Sequence, residues 1–291
     1  MHHMKARLMI ILSMAIFGTI GLFVRNIPIS SAEVALWRAV LAAVLIICFL
    51  ALRHESIPFR QIWKEIPLLI LSGVAMGFNW ILLFEAYKYT TVSLATLSYY
   101  FAPVIVTAVS PLLFKERITK LQVICFLMST LGIILLTGIG DIKGGSDNGK
   151  GILLGLGAAV LYACVVLTNK FIRHVSGIHR TLLQFLAAIA VLIPYVAMTG
   201  GISFAGMTPA GWGCLLVVGL IHTGITYCMY FSALKDLPGQ EAAILSYVDP
   251  LVAVALSVLV LHEAMTPMQA AGGALILGFT LVNELFGHMG K

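Results

Sequence analysis

Apolar residues run through this chain in long stretches separated by short polar breaks. Ten stretches can be marked, at residues 7–24, 33–52, 66–87, 92–114, 118–138, 150–170, 179–198, 211–232, 240–261 and 267–286. Each approaches the ~20 residues that a helix needs to cross ~30 Å of hydrocarbon. Runs this long do not match the ~10-residue alternating strands of a membrane barrel. A helix also satisfies every backbone group within its own segment, as lipid demands. The pattern therefore predicts an all-α integral membrane protein of ten transmembrane helices, spans one to ten. Asn26–Ser31 and Arg53–Pro58 are clear breaks, and Gly140–Lys150 is a Gly-rich polar linker.

Composition excludes a soluble domain. The chain is 60% hydrophobic and 10% charged, with a mean hydropathy of +1.02, against about 25% charged residues in soluble proteins. Cys48, Cys125, Cys164, Cys214 and Cys228 all lie in apolar runs without CxxC spacing and are read as packing residues. The first span is too long for the apolar part of a cleavable signal, and no A-x-A-like site follows it.

The second half of the chain repeats the first at an offset of 147 residues. Phe84, Ala86, Lys88, Tyr100, Pro103, Glu116, Thr119 and Gln122 reappear as Phe231, Ala233, Lys235, Tyr247, Pro250, Glu263, Thr266 and Gln269. The units are residues 1–143 and 144–291, with five spans each. An odd number of spans inserts the second unit upside down, the plan of secondary transporters with inverted repeats. Gly73 and Gly77 in span three, and Gly151 and Gly155 in span six, have the spacing that lets helices approach closely. Pro103 and Pro250 predict a pair of equivalent kinks.

The net charge of +6 reads as an orientation signal rather than as an anionic partner, and nothing supports nucleic-acid binding. Thirteen of the 18 Lys and Arg fall on the N-terminus, the even-numbered loops and the tail, and four on the odd-numbered loops. Both termini are predicted cytoplasmic, which puts Ser146 outside and Thr119 and Ser176 inside.

The segments Phe84-Glu-Ala-Tyr-Lys, Pro103, Lys115-Glu116-Arg-Ile-Thr119 and Gln122, with their copies, resemble the repeat of the drug/metabolite transporter superfamily. The likeness is to its ten-span form with two EamA domains. Phe17-Gly18, Arg25 and Ala35-Leu-Trp-Arg38 resemble the opening of that domain, where a Trp-Gly pair and a Lys are more usual. The resemblance covers essentially the whole chain. It implies a carrier of the bacterial inner membrane, driven by an ion gradient or by exchange, in a family that exports amino acids, drugs and assorted metabolites. Small four-span relatives use a Glu in their first helix; span one here has no acid, so that device does not transfer.

Two motif fragments fail on chemistry. Gly144–Gly151 nearly spells a phosphate loop, but Gly151 stands where a metal-binding hydroxyl belongs. His262-Glu263 begins HExxH, but Thr266 replaces the second histidine. No metal or cofactor is expected.

Ionisable residues inside spans carry the functional expectations, because hydrocarbon makes them costly. Arg38 in span two and Glu85 in span three lie at similar depth and are read as a gating ion pair. Lys88 is the competing partner of Glu85, and snorkelling the alternative for Arg38. Asn79, Trp80, Tyr99, Tyr100, Thr226, Tyr227, Tyr230 and Tyr247 are the candidate solute-binding set, an apolar lining with hydroxyls and an amide; bonding between helices is the alternative. His222 and Asp249, at mid-span, are the candidate coupling pair, with Ala75 and Ala102 at the equivalent places in the first half. Four-residue helical spacing would set Thr226 and Tyr230 on the face of His222. The expected function is secondary active transport, most simply proton-coupled export, of small organic metabolites such as amino acids by a monomer. Its partners are the solute, protons or an exchanged solute, and the bilayer. Exchange or import of sugar-like or amine solutes is the alternative reading. An integral-membrane enzyme fits less well, because the His and acids are dispersed.

Overall fold

The computed structural model describes residues 2–57, 62–114, 119–137, 147–175, 177–204, 206–234, 236–237, 242 and 244–286. Ser146, Ser176, Lys235, Glu116 and most of the Gly140–Lys150 linker lie outside these. The described residues form helices with no strand among them. Span one is α1 (His2–Gly18) and α2 (Ile20–Val24), and span two is α3 (Ser31–Leu52). Span three is α4 (Ile66–Tyr89), and span four divides into α5 (Val92–Tyr99) and α6 (Ala102–Phe114). Spans five, six and seven are α7 (Lys120–Thr137), α8 (Asp147–Asn169) and α9 (Gly177–Thr199). Span eight is α10 (Pro209–Leu216), a π-helical stretch (Val217–Ile225) and α11 (Thr226–Leu234). Spans nine and ten contain α12 (Val248–Leu259) and α13 (Pro267–Phe286).

Eight helices among the described residues are long and apolar enough to cross a membrane. Shorter apolar helices, Lys120–Leu136 and Val248–Leu259, occupy spans five and nine. Large apolar side chains such as Leu12, Leu71, Leu153 and Leu259 are exposed on the outside of the bundle, as lipid-facing positions require.

Packing runs between the two halves as well as within them. Span three packs on spans six and seven, and span eight on spans one and two. Span four packs on span six and span nine on span one, while four meets nine and five meets ten. Exchanging the halves converts this set of contacts into itself. The agreement reaches single residues. A Cβ on Gly77 would touch Leu192, and a Cβ on Gly224 would touch Leu45. These are the same contact in the two copies, each partner displaced by 147 positions. Glycine therefore brings span three against span seven, and span eight against span two, at equivalent points.

The repeated Thr119/Gln122 and Thr266/Gln269 have a local explanation. In each copy the threonine amide donates to the glutamine Oε1 at 2.9 Å, and the glutamine amide donates to the threonine Oγ1 at 3.2 Å. This reciprocal box caps the start of span five and again the start of span ten.

The two proline kinks also form a pair. Span four breaks at Tyr100–Phe101 and span nine at Ser246–Tyr247, each within four residues ahead of its proline. A proline has no N–H to offer the carbonyl four residues earlier, and its ring crowds that turn. The backbone bonds there tighten: Phe101 N bonds Ser98 O at 3.2 Å, and Tyr247 N bonds Ile244 O at 3.1 Å.

Candidate functional site

The helix breaks place two equivalent tyrosines opposite each other at the interface of the halves. The rings of Tyr100 and Tyr247 lie 6.4 Å apart, and Tyr99 packs edge-on against Tyr100 at 6.0 Å. The Tyr100 hydroxyl donates to Asp249 Oδ2 at 2.7 Å, joining span four to span nine. All four side chains are half-buried rather than sealed. Asp249 is an acceptor at the mouth of a broken helix in the membrane interior, where an ionisable group needs a partner or water.

Span one is interrupted directly beside this point. Gly18 allows the approach, since a Cβ there would meet the Asp249 carbonyl oxygen at 2.6 Å. The next residue, Thr19, stands outside both α1 and α2, with its Oγ1 2.7 Å from His222 Nε2 and 2.7 Å from the Ile16 carbonyl. His222 is buried, and its Nδ1 lies 3.2 Å from the Val217 carbonyl. His222 and Asp249 are thus not bonded to each other. The broken turn of span one stands between them, touching one with its backbone and the other with its hydroxyl.

The four-residue spacing assumed for His222, Thr226 and Tyr230 is also corrected. The π-helical stretch spaces its bonds at five residues, so Thr223 and Thr226 hydroxyls donate to Val218 and Ile221 carbonyls at 2.7 and 2.8 Å. His222, Thr223 and Thr226 are buried together. Tyr230 packs instead beside Ala6, Ile10 and Met14 of span one and against Phe231.

The remaining site candidates divide. Tyr227 stays with the aromatic set, edge-on to Phe17 at 5.2 Å and to Phe185 at 5.5 Å. Trp80 is buried against Phe185. Asn79 is buried, and its Nδ2 donates to the Ala158 carbonyl at 2.6 Å, which makes it a strut between spans three and six. Arg38 and Glu85 do not pair. Arg38 Nε donates to Thr223 Oγ1 at 3.0 Å, and its guanidinium lies 4.3 Å from the Trp80 ring centroid. Glu85 accepts from Ser31 Oγ at 2.7 Å and Lys88 Nζ at 2.9 Å. Similar depth on two helices does not fix which way each side chain faces, and these two face different neighbours.

An ion pair that ties loops of the two halves together is Arg25 with Glu263. Arg25 Nη2 also donates to the carbonyls of Tyr87 at 3.1 Å and Thr90 at 2.8 Å. Glu263 accepts from the Val92 amide at 2.9 Å and from the Ser257 hydroxyl, which is itself 2.9 Å from Ser93 Oγ. One cluster thereby joins the loop after span one, the loop before span four and the loop after span nine. Both residues had drawn notice in the repeat and resemblance motifs; only their pairing was invisible.

A family model for the EamA-like transporter family matches this chain twice, at residues 4–138 and 149–284. The chain belongs to that family. Among its relatives is the uncharacterized transporter YxxF of Bacillus subtilis (strain 168), 30% identical over 250 residues, which are 84% of this chain and 78% of that protein. Another is an uncharacterized transporter of Archaeoglobus fulgidus, 27% identical over 278 residues, 94% of each chain. A protein of known crystal structure shares the fold at 20% identity with a TM-score of 0.67, over 97% of this chain and 98% of its own. The protein is therefore a multi-pass membrane transporter and not an enzyme, with a small-molecule solute and the bilayer as its partners. Its bacterial relatives support an inner-membrane location.

Proposed function

We propose that this transporter is a proton-coupled exporter of small organic metabolites, amino acids or related compounds among them. Two inverted five-helix repeats, residues 1–143 and 144–291, would rock about the broken helices of spans four and nine. Both termini would lie in the cytoplasm. The observation that carries the reading is Asp249 itself: a half-buried carboxylate at a helix break, bonded across the repeat interface to the Tyr100 hydroxyl. A proton arriving at Asp249 removes the charge that this bond serves, so protonation and the relation of the two halves are linked. The Arg25–Glu263 cluster fits a closed gate on one side of the membrane, the side of low cation density assigned to the exterior. His222, held to the interrupted turn of span one, is the second coupling group.

The test is transport in proteoliposomes, with a panel of labelled amino acids, amines and sugars and an imposed pH gradient. Asp249→Asn is expected to abolish gradient-driven accumulation while keeping solute exchange at equilibrium. Undiminished uphill transport by a folded, membrane-inserted Asp249→Asn protein would place coupling elsewhere.

A further inference from the structure

We propose that Arg38 is the anion-binding residue of the transport site and that the carried solute bears a carboxylate. The inference rests on the reading of the protein as a carrier of small organic solutes. It begins from an imbalance of charge. Arg38 is 3% exposed, seven residues into span two, and a guanidinium stays charged under any physiological condition. Among the described residues no carboxylate pairs with it. Glu85 is held by Ser31 and Lys88, Asp249 by Tyr100, and Glu33 by Ser30 and the Ser203 amide. One Arg38 N–H reaches Thr223; beyond that the cation has the ring faces of Trp80 at 4.3 Å and Phe84 at 5.2 Å. Aromatic faces offset only part of the cost of a buried, unpaired cation. A carboxylate matches what is left, because the guanidinium fork offers two parallel donors to two oxygens.

Gln184 aligns with Arg38 at an offset of 146, one short of the 147 that relates the other repeated positions, and stands at the crossing of spans seven and three. Its Nε2 lies 2.7 Å from Ser72 Oγ and 2.7 Å from Asn169 Oδ1. A neutral side chain therefore braces that crossing with both bonds made inside the protein. At the first-half crossing the side chain is charged and has donors to spare.

Trp80, which lies against the Arg38 guanidinium, packs in one cluster with Tyr87, Tyr99 and Tyr227. Tyr99 in turn packs on Tyr100, the donor to Asp249. The cation and the coupling acid thus border one tyrosine-rich region. A cleft of about 340 Å³ at the Arg25–Glu263 end is lined by Arg25, Lys88, Tyr87 and Phe84 among others. Phe84 is the same ring that lies under the Arg38 guanidinium, so the cleft and the cation share a wall.

The experiment uses the purified full-length protein and two flat probes of equal size, benzoate and benzamide, with melting temperature as the readout. Benzoate is expected to raise the melting temperature saturably, and benzamide at equal concentration to leave it unchanged. Arg38→Gln, which copies the second-half residue, is expected to weaken the apparent benzoate affinity about tenfold or more. Arg38→Lys keeps the charge without the fork and should fall between. Thr223→Val, which removes only the bracing hydroxyl, should keep the benzoate response. Absence of a benzoate effect on the parent, or an equal effect on Arg38→Gln, overturns the proposal. Stabilisation by inorganic phosphate equal to that by benzoate overturns the assignment to a solute carboxylate. Should the variants not fold, the benzoate and benzamide comparison on the parent still decides. Accumulation of neutral solutes by a protein that ignores benzoate would sink this inference and leave the transport reading standing.

Discussion

The two helix breaks are the same device built twice, yet only the second carries an acid. Tyr100 and Tyr247 occupy equivalent places, each ahead of a proline, and their rings meet at the repeat interface. Tyr100 has Asp249 to bond. The position equivalent to Asp249 in the first half is Ala102, which is 1% exposed and offers nothing to Tyr247. Both halves carry the bend, and only the second carries a carboxylate beside it. The proposed coupling would use this combination of symmetric geometry and asymmetric charge, with a bend in each half and a carboxylate in only one.

The strongest way to break the comparison is to charge the silent copy. Ala102→Asp puts a carboxylate in a sealed position, and the uncompensated charge should destabilise the protein by about 3 kcal/mol or more. A large fall in melting temperature, with no gain of coupling in an Asp249→Ala background, is the expected result. A milder pair of changes sharpens the contrast. Tyr100→Phe removes a donor to the charged form of Asp249, so the pH profile of transport should move upward by about one unit. Tyr247→Phe removes a hydroxyl that is not bonded to Asp249 and should leave the profile in place, although both variants lose the same group. Equal shifts in the two would contradict the asymmetry. The smallest effect belongs to the capping boxes, where the halves should behave alike. Thr119→Ala and Thr266→Ala should each cost about 1 kcal/mol, read as matching small drops in melting temperature.

Span number and the helix breaks were legible in the sequence because their causes are local. Lipid requires long apolar runs, and Pro103 and Pro250 disrupt the turns just before them, although Pro194 sits inside the unbroken helix Gly177–Thr199. Azimuth was not legible. Arg38 and Glu85 share a depth, but a helix faces all directions, and only tertiary packing turned Arg38 toward Thr223 and Glu85 toward Ser31. The π-helical stretch in span eight carries no residue signature, so a four-residue count from His222 drifted off the true face by Tyr230. Glu263 was marked by its place in the repeat, while its partner Arg25 sits 238 positions away. Asn79 is polar for a structural reason, a bond to the Ala158 carbonyl, which composition cannot tell from a binding role.

The turn at Thr19 has a consequence for where hydrogens can sit. Its hydroxyl carries one proton and lies 2.7 Å from both His222 Nε2 and the Ile16 carbonyl, while His222 Nδ1 faces the Val217 carbonyl. With a neutral ring, Nδ1–H serves Val217 and the threonine proton points at Nε2. With a cationic ring, both nitrogens donate, and the threonine proton swings round to Ile16. Every group remains bonded in either arrangement. The Ile16 carbonyl already accepts the Thr19 amide at 3.0 Å, so it is satisfied whether or not the hydroxyl arrives. A single rotating hydroxyl thus lets a buried imidazole gain or lose a charge without stranding a partner, and it records the change as a bond made or broken inside the interrupted turn of the first helix.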